Sequence, residues 1–283
     1  MNANSGWKVL LYFLAGICSS CGESILQEAR QKVPTPVPTL GDYVVEVQSK
    51  ITHTQPLSIK EDIIACAAGG QEKFATNDLF PVSILFYPMD GATDIRYFET
   101  SQPSDTHDDF EKYIEKKLQV VPILGGHVMR ILHPEVPHEV WGRVTLKTKG
   151  MLHVSGGIRI KLTTKPSQYA PELLEIQANK LNPNFTWQDG RLKENAIYFQ
   201  VIHDKDNDLI SGTYTLDKRF NFYDLSNVEI NIRDINPPPT LQENEEYTFL
   251  VMGISKDNWV NFIANKKFKY SREQGFLVKP GGL

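Results

Sequence analysis

The sequence predicts an all-β protein built from two successive β-sandwiches. Short runs of β-branched and aromatic residues recur along the 283-residue chain, separated by Gly, Pro, Asn and Asp. In the second half these runs have the lengths and regular spacing of a seven- or eight-stranded sandwich. The first half repeats the same order of segments. Hydrophobic residues make up 41% of the chain and charged residues 23%, a balance that lets ordinary globular domains bury their cores. The formal net charge is -4 and the Lys and Arg are scattered rather than striped, which argues against nucleic acid as a partner.

Residues 1–20 read as a secretory signal peptide. In "MNANSGWKVLLYFLAGICSSCGES", Lys8 supplies the positive start, Val9–Ile17 the apolar run, and Ser19 and Ser20 the small residues before Cys21. The apolar run is about half of the ~20 residues a spanning helix needs. Cys18 and Cys21 have C-x-x-C spacing. A redox pair, however, expects a strand-to-helix setting, and a zinc site expects a second ligand pair. The chain adds only Cys66. The small residues before Cys21 resemble a bacterial lipobox, with Cys18 standing where that family prefers Leu. The resemblance implies cleavage before Cys21 and lipidation of its sulfur. The mature protein is then held at a membrane of the cell envelope, with the outer membrane expected. Residues 21–41 follow as a tether, whose "VPTPVPT" is extended and semi-rigid.

The first sandwich is expected over residues 42–163. Its strands are "EDIIACAAGG" (61–70), "VSILFYP" (82–88), "DIRYFETS" (94–101) and a closing hairpin in "EVWGRVTLKTKGMLHVSGGIRIKL" (139–162). Between them, "SDTHDDFEKYIEKKLQ" (104–119) predicts a short amphipathic helix carrying Phe110, Tyr113, Ile114 and Leu118. "LTTKPSQYAPE" (162–172) links the halves.

The second sandwich is expected over 168–283, with strands at 173–181, 184–189, 196–204, 208–216, 220–225, 228–235, 247–255 and 259–270. Leu241 stands six residues before Tyr247, and Tyr247-Thr248-Phe249-Leu250-Val251 follows. This resembles the tyrosine corner and F strand of fibronectin type III and related Ig-like domains. Trp187 resembles the tryptophan of their B strand and "AIYFQV" their C strand. The resemblance implies that the Tyr247 hydroxyl satisfies an upstream backbone group while its ring packs in the core. In layout the whole chain is similar to lipid-anchored envelope proteins of the Bacteroidota, which join Ig-like sandwiches behind a short tether. That likeness implies no activity.

Chemistry is sparse. No G-x-S-x-G elbow, phosphate loop, G-x-G-x-x-G or H-E-x-x-H is present. Four histidines, His127, His133, His138 and His153, share one short span. Strands folding back could bring some of them onto a metal, against the reading of unrelated surface residues. Asp204, Asp206 and Asp208 alternate as a calcium loop begins, but Leu209 and Thr215 occupy the positions that need Gly and Glu. A solvated hairpin is therefore expected. In the strand from Tyr247, both faces are apolar. Tyr247, Phe249 and Val251 should face the core while Leu250, Met252 and Ile254 point outwards, so something covers the outer face.

The expected function is binding or assembly at a membrane, through an accessory glycan- or protein-binding lipoprotein. Trp259 and Trp141 are the candidate aromatic platforms. The alternatives are a structural subunit of an envelope complex and a hydrolase with a site in the first sandwich. No catalytic residue, metal or cofactor is assigned.

Overall fold

Side-chain alternation lets a strand cover two layers at once, and this chain uses it to stack sheets on sheets. The computed structural model describes residues 37–49, 59–70, 81–178, 182–232 and 240–271. The signal peptide, Cys18, Cys21 and nearly all of the tether lie outside the described residues.

The first described element is a helix, α1 (Leu40–Ser49), where the sequence predicted β structure. Thr39 and Asp42 cap it reciprocally. Thr39 N–H donates to Asp42 Oδ2 (2.9 Å), and Asp42 N–H donates to Thr39 Oγ1 (3.0 Å). Leu40, Tyr43, Val44 and Val47 form one face at helical spacing and pack on Phe98, Leu152 and Val154.

The first half holds two sheets. The expected 61–70 strand is split into β1 (Lys60–Ile63) and β2 (Ala65–Gly69), and each half joins a different sheet. β3 (Val82–Phe86) and β4 (Thr93–Thr100) fall where predicted. The helix predicted over 104–119 is not formed. Asp109 caps only a 3-10 turn at Phe110–Lys112, and the chain then runs as β5 (Tyr113–Lys116) and β6 (Gln119–Ile123). Pairing of β5 with β4 satisfies the backbone and buries Tyr113 completely, which outweighs a helix too short to hold itself. β7 (Val128–His133), β8 (Val140–Thr148), β9 (Met151–Ser155) and β10 (Ile158–Ile160) complete this half. Sheet I runs β1-β9-β8-β4-β5, with β10 also on β8, and sheet II runs β2-β3-β7-β6.

The second half follows the predicted strands closely. Sheet III contains β11 (Gln168–Tyr169), β14 (Ile197–His203), β15 (Leu209–Thr215), β17 (Val228–Asn231), β18 (Glu246–Ile254) and β19 (Val260–Lys269). Its order is β11-β19-β18-β14-β15-β17. Sheet IV is β12 (Leu174–Gln177), β13 (Asn184–Trp187) and β16 (Arg219–Asn221). Between these sheets Phe185 stacks on Phe249 at 4.0 Å and Trp187 meets Tyr198 edge-on at 5.6 Å. Gln242 N–H donates to the Tyr247 hydroxyl (2.9 Å), and Leu241 is buried in the same core. The corner expected from the Ig-like resemblance is therefore present.

β18 shows both predicted faces. Tyr247, Phe249 and Val251 enter the core between sheets III and IV. Leu250, Met252 and Ile254 are covered by sheet II, through Cys66, Ala68, Leu85 and Val128. Burial pushes the Cys66 thiol up to about 12. The described layers thus run α1, sheet I, sheet II, sheet III, sheet IV, and the described residues from Pro38 on cohere as one compact unit. The link between the halves is docked as well. Ser167 N–H donates to Gly69 O (2.7 Å), Ser167 Oγ donates to Val260 O (2.6 Å), and β11 pairs with β19. No helix among the described residues is long and apolar enough to cross a membrane.

Candidate functional site

The turn between β18 and β19, Ser255–Trp259, reaches out of sheet III into the first half. Ser255 Oγ binds Asp257 Oδ1 (2.5 Å) and Trp259 O (2.9 Å), and Asn258 takes a left-handed φ of 60°. The turn docks by backbone. Ala67 N–H donates to Asn258 O (3.0 Å), and Arg159 N–H donates to Asp257 O (2.8 Å). Lys161 pairs with Asp257, and Asn258 Nδ2 donates to Gly157 O (3.0 Å). The turn ends at Trp259, whose indole sits among Ile84, Val140 and Ile160 and donates through Nε1 to Lys165 O (2.7 Å).

This placement corrects one sequence expectation. Trp259 is 0% exposed, so it offers no face to a ligand and serves instead as a core residue of the neighbouring sandwich. The other candidate platform, Trp141, is half-buried on β8 and borders an open cleft of about 610 Å³ between the two halves. The opposite wall is the 255–258 turn with Glu194 and Asn195.

The Trp141 ring has two close neighbours. The Arg159 guanidinium lies 5.1 Å from its centroid, and the His107 ring lies 5.0 Å away at a tilted angle. Arg159 is itself fixed by Glu139 (2.9 Å). Burial opposes ionisation of Glu139, but hydrogen bonds from Thr164 and Arg159 prevail and hold its carboxyl below the ordinary value. Gly157 forms a bare floor beside the indole. A Cβ there would come within 2.8 Å of His107 Cβ and 3.3 Å of Trp141 Cε3. The cleft's charges are largely paired: Lys161 with Asp257, Glu194 with Lys165 (2.9 Å), and Glu61 with Arg143 (3.5 Å). Arg143 is 1% exposed and spends its other donors on the carbonyls of His107 and Ser155. The result is an aromatic edge, amide groups and locally neutralised charges around a polar opening.

The four histidines do not converge. His127 ends the 3-10 turn Leu124–Gly126, and His138 Nε2 meets Ser101 O (3.1 Å). His133 is buried against Glu99 (2.8 Å), and its Nδ1 accepts from Glu135 N–H (3.3 Å). His153 lies between Asp62 (Nδ1 to Oδ1, 2.8 Å) and Thr148 (Nε2 to Oγ1, 2.7 Å). No group of three His, Cys, Asp or Glu among the described residues could hold a metal. In the acidic hairpin, Asp204 Oδ1 accepts from the N–H groups of Asp206 and Asp208 (2.9 Å each), the turn-forming role expected for a solvated hairpin.

The sequence singles out Trp141 but not its surroundings. Gly156-Gly157 followed by alternating Ile158, Arg159 and Ile160 marks a strand start with a bare approach, a signal that could have pointed to the cleft floor. No family model matches the chain, and no curated protein matches it.

Proposed function

We propose that this chain is a lipid-anchored binding protein of the cell envelope that takes a glycan in the cleft beside Trp141. One observation carries the reading: a half-buried indole in contact with Arg159 and His107 at the edge of an open cleft of about 610 Å³. Its volume is that of a small-molecule site, and its amides and paired charges suit the hydroxyls of an uncharged saccharide. The anchor rests on the resemblance around Cys21. Cys21→Ala should abolish lipid labelling and release the protein from membranes. A glycan array with purified protein should find a saccharide whose affinity falls roughly tenfold or more in Trp141→Ala, the loss expected when an aromatic anchor is truncated. No bound saccharide, together with a stable co-purifying envelope protein, would replace this reading with an assembly role.

A hydrolase reading has one observation in its favour, the Asp62–His153–Thr148 chain. Its carboxylate requires a proton on Nδ1, leaving Nε2 to accept from the Thr148 hydroxyl. Thr148 and His153 are both buried, so the same chain also serves to close the sheet edge. Ester hydrolysis that disappears in His153→Gln with the fold intact would establish catalysis.

A further inference from the structure

A second cavity, of about 470 Å³, opens between sheets II and III, away from the Trp141 cleft. Its wall is apolar: Leu85 and Val128 come from sheet II, and Phe199, Val201, Leu250 and Met252 from sheet III. The volume is that of a small-molecule site. Two turns frame the mouth. One is Leu124–Gly126, in which the half-buried Leu124 takes a left-handed φ of 52°. The other is the 204–208 hairpin. The two touch, since a Cβ on Gly125 would stand 2.8 Å from Asp208 Oδ1.

The charges around this cavity disfavour an ionised ligand of either sign. Asp204, Asp206 and Asp208 outnumber Lys205 in the hairpin at the mouth, so an anionic head meets carboxylates there. Arg130, the cation on the wall, is 2% exposed and already engaged. It donates through Nε to Ser83 Oγ (2.8 Å) and has a further interaction partner. A cationic head entering the cavity loses its water beside that guanidinium. Asp206 and Asp208 are exposed, so solvent screens the attraction that would offset the loss. An uncharged head avoids both costs.

The wall also selects the direction of a hydrogen bond. His203 lines the cavity, and its Nδ1 lies 2.8 Å from the Asp204 carbonyl oxygen, which can only accept. Nδ1 therefore carries a proton, and in the neutral ring Nε2 is left as an acceptor. We propose that the cavity binds an uncharged single-chain amphiphile with a hydroxyl head, of the long-chain alcohol class. Its chain lies against Phe199, Leu250 and Met252, and its O–H donates to His203 Nε2. This site stands independently of the glycan reading.

The test is calorimetric titration of the intact protein with decan-1-ol, 1-methoxydecane, decanoate and decylamine. The alcohol should bind saturably at one site. Its methyl ether, which lacks the donor, should bind roughly threefold to tenfold more weakly, the worth of one neutral hydrogen bond. Each ion should bind roughly tenfold or more weakly than the alcohol. His203→Phe should remove the difference between alcohol and ether. Leu124→Trp on the rim and Met252→Trp on the wall fill the space, and each should weaken the alcohol roughly tenfold or more. Both are included so that one misfolded variant still leaves a result. Absence of saturable alcohol binding overturns the proposal, as does an ion or an ether that binds as well as the alcohol. An alcohol–ether difference that survives His203→Phe overturns it equally, and so does alcohol binding indifferent to both cavity-filling substitutions.

Discussion

The second sandwich fills its interior from its own strands, whereas the first takes one of its largest side chains, Trp259, from the second. Between sheets III and IV, Phe185, Trp187, Phe249 and Phe268 come from within 174–270, and the Tyr247 corner ties the edge. Between sheets I and II, residues 63–162 leave a place for an indole that arrives from the Ser255–Trp259 turn. The two interiors also differ in their polar groups: Glu99, His133 and Tyr97 are linked in the first, and the uncharged Gln200, Thr213 and Thr215 in the second. Similar sheets therefore differ in autonomy: the first half depends on the second for its packing, and the interface between them is part of the fold.

The strongest way to break this asymmetry is Trp259→Ala. It empties the site of a fully buried indole and leaves the Lys165 carbonyl without its donor, so a loss near the upper end of about 3–5 kcal/mol is expected. Urea unfolding should show it, with probes in the first half losing structure earliest. Next comes Ile254→Asp, which leaves both sandwich interiors intact but places an unpaired charge between sheets II and III. A cost of roughly 3 kcal/mol is expected, and the single unfolding transition should separate into two. A transition that stays single would mean that the 255–259 turn and the docked Ser167 link suffice to couple the halves. Tyr247→Phe tests the self-contained half. Removing the oxygen that accepts from Gln242 N–H should lower the unfolding free energy by about 1 kcal/mol without altering cooperativity.

The smallest effect belongs to the outermost layer. Asp94 accepts from Tyr43 of α1 (2.7 Å), Arg96 (2.8 Å) and Lys147 (2.7 Å). Burial works against its charge, but these donors prevail and hold its carboxyl well below the usual range. A carboxylate with a lowered folded-state pKa binds fewer protons folded than unfolded. Its contribution is therefore complete above the unfolded value of about 4 and fades as pH falls towards the folded one. Asp94→Asn should cost about 1 kcal/mol or less at pH 7. The gap between variant and parent urea midpoints should narrow on acidification below pH ~4.

The strands of the second half were legible because turn residues separate them and each run is long enough to show its faces. β18 is the clearest case, since the assignment of Leu250, Met252 and Ile254 to an outer, covered face follows from alternation alone. Two local competitions went the other way. Val44-Val45 and Val47 read as β-branched strand residues, yet Thr39-x-x-Asp42 and the spacing of Leu40, Tyr43, Val44 and Val47 decide for a helix. Phe110, Tyr113, Ile114 and Leu118 have helical spacing, yet the free edge of β4 takes Tyr113–Lys116 as a strand. The cleft was illegible for a different reason. Glu61, His107, Trp141 and Gly157 come from separate segments of the first half, and the wall facing them, with Asn258, arrives only when the second half docks.

The route taken by Trp259 has a consequence for how the chain is made. A ribosome releases residues 59–162 well before residue 259, so sheets I and II emerge while their last interior side chain is still unsynthesised. The first sandwich must wait, incompletely packed, until β18 has formed and its turn swings Trp259 home. The half that is made first is the half that is finished last.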